Sequence, residues 1–95
     1  MIKHIVVFKF KPGLTEAQRQ SLVDGLNALP ALISDIKSMK VVKSVPGRPA
    51  PYSIALFSEF EDLAALDRYV AHPDHQKIVK LVNELSETRL GFDYE

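Results

Sequence analysis

IKHIVVFKF, residues 2–10, alternates too regularly to be a helix. Ile2, His4, Val6, Phe8 and Phe10 fall on one face; Lys3, Ile5, Val7 and Lys9 fall on the other. This stretch is therefore a strand, and Lys11-Pro12-Gly13 ends it. Thr15 followed by Gln18 is a capping box, so a helix starts there. Leu22, Val23, Leu26 and Leu29 give that helix an apolar stripe, and Pro30 is expected to close it. A second strand is expected over Ile36 to Val45, wet at Ser38, Lys40 and Lys43 and so suited to a sheet edge. Pro46 to Pro51 is the one Pro-rich stretch and reads as a loop. Tyr52 to Phe60 is a third strand. Asp62 can cap a short helix carrying Leu63, Leu66, Tyr69 and Val70. His72-Pro73 breaks it, and Pro73 suits the first turn of a further helix running to about Leu85. Leu90 to Tyr94 is a last, brief strand.

The order is β-α-β-β-α-β with the second helix broken. It predicts an α+β, ferredoxin-like protomer: a four-stranded antiparallel sheet with its helices on one face, formed by residues 1–95 as one domain. Turning Val6 and Phe8 toward the helices leaves Ile5, Val7, Phe57, Leu90 and Phe92 on the other side with no cover. Such a patch of several hundred Å² exceeds what soluble monomers usually expose. A homodimer joined through this sheet face is the simplest remedy, and two-fold pairs are the commonest assembly.

Composition narrows the function classes. A hydrophobic fraction of 46% and a charged fraction of 25% describe an ordinary globular chain. Lys plus Arg and Asp plus Glu each number 12, so no basic excess marks a nucleic-acid partner. No cysteine is present to form a disulfide or a thiolate metal site. Met1 to Phe10 is too short and too often interrupted for a signal peptide, and no run approaches the roughly 20 apolar residues of a membrane span. A cytoplasmic protein with no membrane partner is expected.

Four residues carry chemistry. His4 faces the helices, while His72 and His75 bracket Pro73-Asp74, with Tyr69 six residues before His75. If both short helices cover the sheet, His4, Tyr69 and His75 converge on one cavity beneath them. Val6, Phe8, Leu22, Leu26, Leu56 and Ile78 are its expected apolar, substrate-binding lining. Each polar residue also has a plain reading. A histidine on an apolar strand face is commonly a satisfied core residue, Tyr69 is core with a polar tip, and His72 starts a helix. His75 differs because it falls in the first turn of a helix, where the dipole opposes imidazolium. A neutral ring able to accept a proton is expected there. His72, Asp74 and His75 also resemble part of a metal site, but no further ligand lies nearby in sequence and no metal is assigned. No cofactor is expected either: glycine-rich phosphate loops, GxSxG elbows and cysteine nucleophiles are all absent.

HIVVFKFKPG near the start, SEFEDLAALDRYVAHPDHQ in the middle and FDYE at the end together resemble the stress-responsive α/β-barrel (Dabb) domain family over nearly the whole chain. The resemblance implies a ferredoxin-like protomer that pairs into a dimeric α/β barrel. The family includes a plant polyketide cyclase branch that makes olivetolic acid, closing a linear chain by aldol condensation without a cofactor. That branch has Tyr, two residues, His-Pro, one residue and His, which matches Tyr69 to His75; its strand-one histidine matches His4. By this resemblance His75 is the base and Tyr69 the oxyanion donor of a cofactor-independent cyclase or lyase. The branch lines its pocket from the first helix with aromatics where this chain has Leu22 and Leu26, and the Pro46 to Pro51 loop does not match. Two other readings stay open: a non-catalytic, stress-associated binding or assembly module, and, by fold alone, a cofactor-free monooxygenase.

Overall fold

The alternating stretch forms strand β1 (Ile2–Phe10) in a computed structural model that describes residues 1–47 and 52–95. Helix α1 (Glu16–Leu32), strands β2 (Ile36–Lys43) and β3 (Ile54–Phe60), helices α2 (Leu63–Ala71) and α3 (Pro73–Leu85), and strand β4 (Ser86–Tyr94) follow. The strands lie in the order β2-β3-β1-β4, antiparallel throughout, which is the ferredoxin-like arrangement expected. β2 is an edge strand, as its lysines indicated. Of the Pro-rich loop, Pro46 and Gly47 are described and Arg48 to Pro51 lie outside the described residues.

Register fixes the two faces, because residues paired across antiparallel strands share a side. His4 pairs with Ser58 and Asp93, Val6 with Leu56 and Gly91, and Phe8 with Ile54 and Arg89, all toward the helices. Ile5 pairs with Phe57 and Phe92, and Val7 with Ala55 and Leu90, all away from them. The helix side holds the core, in which Leu22, Leu26, Leu56, Phe60 and Tyr69 are fully buried. The other side leaves Phe57, Leu90, Phe92 and Tyr94 exposed and Ile5 and Val7 half-buried.

The Thr15 capping box forms in full: Gln18 N–H donates to Thr15 Oγ1 at 3.1 Å, and Thr15 N–H to Gln18 Oε1 at 2.8 Å. Gly25 lets α1 cross closely over α3, since a Cβ there would stand 2.6 Å from Ile78 Cδ1. Pro30 does not close α1, which runs two residues further. Proline removes one helical N–H near the end, but Ile33 N–H still donates to Leu29 O at 2.9 Å. Leu29 and Ile33 are both buried, and that packing holds the last turn against proline's cost of about 3 kcal/mol. Three strand limits also move: β2 ends at Lys43, β3 starts at Ile54, and β4 starts at Ser86 rather than Leu90. Among the described residues no helix is long and apolar enough to cross a membrane.

Candidate functional site

The site is built where α2 gives way to α3 above β1 and β4. Asp62 caps α2, its Oδ1 accepting from Ala65 N–H at 2.8 Å. Helical spacing then buries Ala65, Leu66 and Tyr69 against the sheet while Leu63 and Val70 stay exposed. Pro73 excludes α conformation at the residue before it, and His72 takes the extended values φ −64°, ψ 138°. His72 thus ends one helix and starts the next. Its ring Nδ1 accepts from Asp74 N–H at 3.1 Å, so this histidine serves as the N-cap.

The sharp turn carries His75 back under the end of α2. His75 Nδ1 lies 2.9 Å from Val70 O, a carbonyl left over at the helix end and also taken by Gln76 Nε2 at 2.7 Å. A carbonyl only accepts, so Nδ1 carries the hydrogen and Nε2 of the neutral ring keeps a lone pair. Burial holds His75 below the ordinary histidine value of 6.5, and the nearby His4, Arg89 and His72 push the same way, against the Val70 hydrogen bond. The ring centroids of Tyr69 and His75 are 4.4 Å apart, and that of His4 is 6.1 Å from Tyr69. Tyr69 is 1% exposed, and burial pushes its hydroxyl up to about 12, so it remains an O–H donor across the working pH range. His4 donates from Nδ1 to the Asp93 carboxylate, which orients its ring.

A cleft of about 430 Å³ opens beside these rings. His4, His75, Gln76 and Arg89 supply its polar lining; Val6, Val70 and Val79 supply its apolar lining, over the bare backbone of Gly91. A chamber of about 40 Å³ continues inward, bounded by Tyr69, Phe8, Leu26, Leu56 and Ile78. It has room for little more than a water. His4, Val6, His75, Val79 and Arg89 line both spaces, so the two meet at those residues. Of the residues chosen from sequence, His4, Val6 and His75 reach the cleft, whereas Tyr69, Phe8, Leu26, Leu56 and Ile78 reach only the chamber. Leu22 lines neither and packs in the core.

Sequence reasoning missed Arg89, Asp93, Gly91, Gln76 and Val79. Asp93 and Gly91 were readable, since they alternate with the outward Leu90 and Phe92. Arg89 was lost because the strand was expected to begin one residue later. Val79 lies one helical turn beyond His75, on the same face. Among the described residues, no three His, Cys, Asp or Glu side chains gather as metal ligands.

The chain belongs to the Stress responsive A/B Barrel Domain (Dabb) family, which is matched over residues 2–95. An uncharacterized protein of Streptomyces coelicolor is 35% identical over 97 residues, covering 100% of this chain and 99% of that protein. Olivetolic acid cyclase of Cannabis sativa is 30% identical over 97 residues, covering 98% of this chain and 94% of the cyclase. A dimeric protein of unknown function with a ferredoxin-like fold, from Bacteroides fragilis, superposes with a TM-score of 0.82 at 34% identity, covering 99% and 94% of the two chains.

Proposed function

We propose that this chain is a homodimeric, cofactor-independent cyclase or lyase acting on a small, largely apolar carbonyl compound bound in the cleft. The observation that carries the reading is the 2.9 Å contact of His75 Nδ1 with Val70 O: because a carbonyl only accepts, the hydrogen is assigned to Nδ1, which leaves a lone pair on Nε2 of a partly buried, neutral ring beside Tyr69. In the proposed step, Nε2 takes a proton from the carbon next to a carbonyl. The C–H electrons move into the carbonyl, whose oxygen enters the water-sized chamber at the back of the cleft and, as it becomes negative, accepts a hydrogen bond from the Tyr69 hydroxyl. The resulting enolate attacks a second carbonyl of the same molecule, forming a C–C bond, and the imidazolium returns its proton to the new alkoxide. A placed acid-base group of this kind contributes about 10²–10⁴ in rate. The 30% identity to olivetolic acid cyclase over 98% of this chain supports the same chemistry. Pairing of two copies through the exposed aromatic face of the sheet supplies the dimer.

A second reading, a binding module without catalysis, is favoured by one observation: the chamber against Tyr69 is only about 40 Å³. One experiment separates the two. A thermal-shift screen of small diketones and aryl ketones finds a ligand, which is then compared across the parent, His75→Ala and Tyr69→Phe. The catalytic reading expects His75→Ala to lose turnover at least about 100-fold with a small change in melting temperature. Unchanged binding with a far lower melting temperature would make His75 a core residue.

A further inference from the structure

Arg89 is the one charged group of the cleft that the proposed proton transfer does not use. It stands on β4 directly across from Phe8, on the helix-facing side of the sheet, and lines both the cleft and the chamber. Among the described residues no carboxylate lies within 4.0 Å of its guanidinium; the acids nearest in sequence on β4 are taken, Glu87 by Lys9 at 3.8 Å and Asp93 by His4. An arginine so placed can lie along apolar surface with its head in water. Two features argue for more than that. Gly91, the next residue of β4 on the same face, has no side chain, so the floor is open at that position, midway along the roughly 13 Å of strand between Arg89 and Asp93. Val6 lies beside Gly91 in that floor, and the helix residues Val70 and Val79 wall it from above, with the polar groups at the ends and at His75. The permanent cation of the exposed Arg89, an apolar trough and a proton acceptor therefore share a single cleft.

We propose that the cleft selects amphipathic monocarboxylates, with Arg89 pairing the carboxylate and the valine walls covering the apolar body. Resting on the carbonyl reading above, this narrows its substrate class to acidic carbonyl compounds, anchored at Arg89 so that the reactive carbon lies toward His75. Guanidinium suits the task because it presents a planar fork of donors that matches both carboxylate oxygens.

The test uses octanoate and its neutral analogue octanamide, titrated into the full chain while the imidazole ¹⁵N–¹H signals of His4, His75 and His72 are followed. Octanoate is expected to shift His4 and His75 and leave His72 nearly unmoved, binding at least about tenfold tighter than octanamide, the scale of one charge-assisted hydrogen bond. Arg89→Gln should reduce octanoate to about the octanamide level while costing octanamide far less, and Arg89→Lys should restore part of the difference. If octanamide binds as tightly as octanoate at His75, the carboxylate selection is wrong while the pocket reading stands. If neither probe moves His75, or Arg89→Gln leaves octanoate unchanged, the inference is overturned; the pocket reading is judged separately by the ketone screen with His75→Ala.

Discussion

Phe57→Asp places a charge in the middle of the uncovered sheet face and should dissociate the proposed dimer. Phe57 is 43% exposed, so with about 200 Å² for a phenylalanine side chain roughly 85 Å² is left for a partner to cover. A two-fold axis counts that area twice, and at about 25 cal/mol per Å² the lost burial is about 4 kcal/mol. That corresponds to about 10³ in dissociation constant, before any cost of burying two carboxylates. One effect opposes it: Lys40 lies directly across from Phe57 and can pair with the new aspartate. An exposed pair of this sort contributes about 0–1 kcal/mol, so burial wins. Sedimentation velocity from nanomolar to tens of micromolar reads the constant directly. The parent should be dimeric at micromolar concentration and the variant monomeric, with little change in helical content, because Phe57 points away from the helices. A variant that associates like its parent would mean that the dimer, if formed, uses another surface.

Gly91→Leu should fill the cleft floor: a Cβ there meets nothing closer than 3.9 Å, so the protomer should fold while the best ligand of the thermal-shift screen loses at least about tenfold in affinity. Asp62→Ala removes the cap of α2 and should cost about 1 kcal/mol, read as a fall of about 4–8 °C in melting temperature. His75 should make stability pH-dependent. Its folded value lies below the ordinary 6.5, so the unfolded chain binds the proton more readily, and stability present above pH 6.5 is lost as pH falls through the folded value. Denaturant midpoints of the parent should therefore fall more steeply below pH 6.5 than those of His75→Gln.

Much of the fold was readable because local signals agreed with tertiary demands. Alternation in Ile2–Phe10, the Thr15–Gln18 box, the Asp62 cap and the His72-Pro73 break each set a local conformation that the packed protomer keeps. Where they failed, long-range contacts decided. Ser86 to Arg89 has no apolar alternation, yet it is strand because Thr88 pairs with Lys9 and Arg89 with Phe8. Pro30 is helical because its neighbours Leu29 and Ile33 are buried beneath it. The site shows the same division. His4, Tyr69 and His75 come together as alternation and helical spacing required, whereas the Val70 carbonyl that sets the His75 tautomer is visible only once the turn is built. Leu22 illustrates the limit of spacing: it shares the α1 stripe with Leu26, but only Leu26 reaches the chamber.

The state of the His75 ring is the point on which the proposed chemistry stands or falls. Long-range ¹H–¹⁵N spectra of the imidazoles, recorded from pH 5 to pH 8, report both tautomer and titration midpoint. The expected result is an Nδ1–H tautomer for neutral His75 with a midpoint below 6.5, and a shift of its Nε2 resonance when a carbonyl ligand from the screen is added. An Nε2–H tautomer, or a midpoint at or above 6.5 with no response of Nε2 to ligand, would contradict a role for His75 as the proton acceptor.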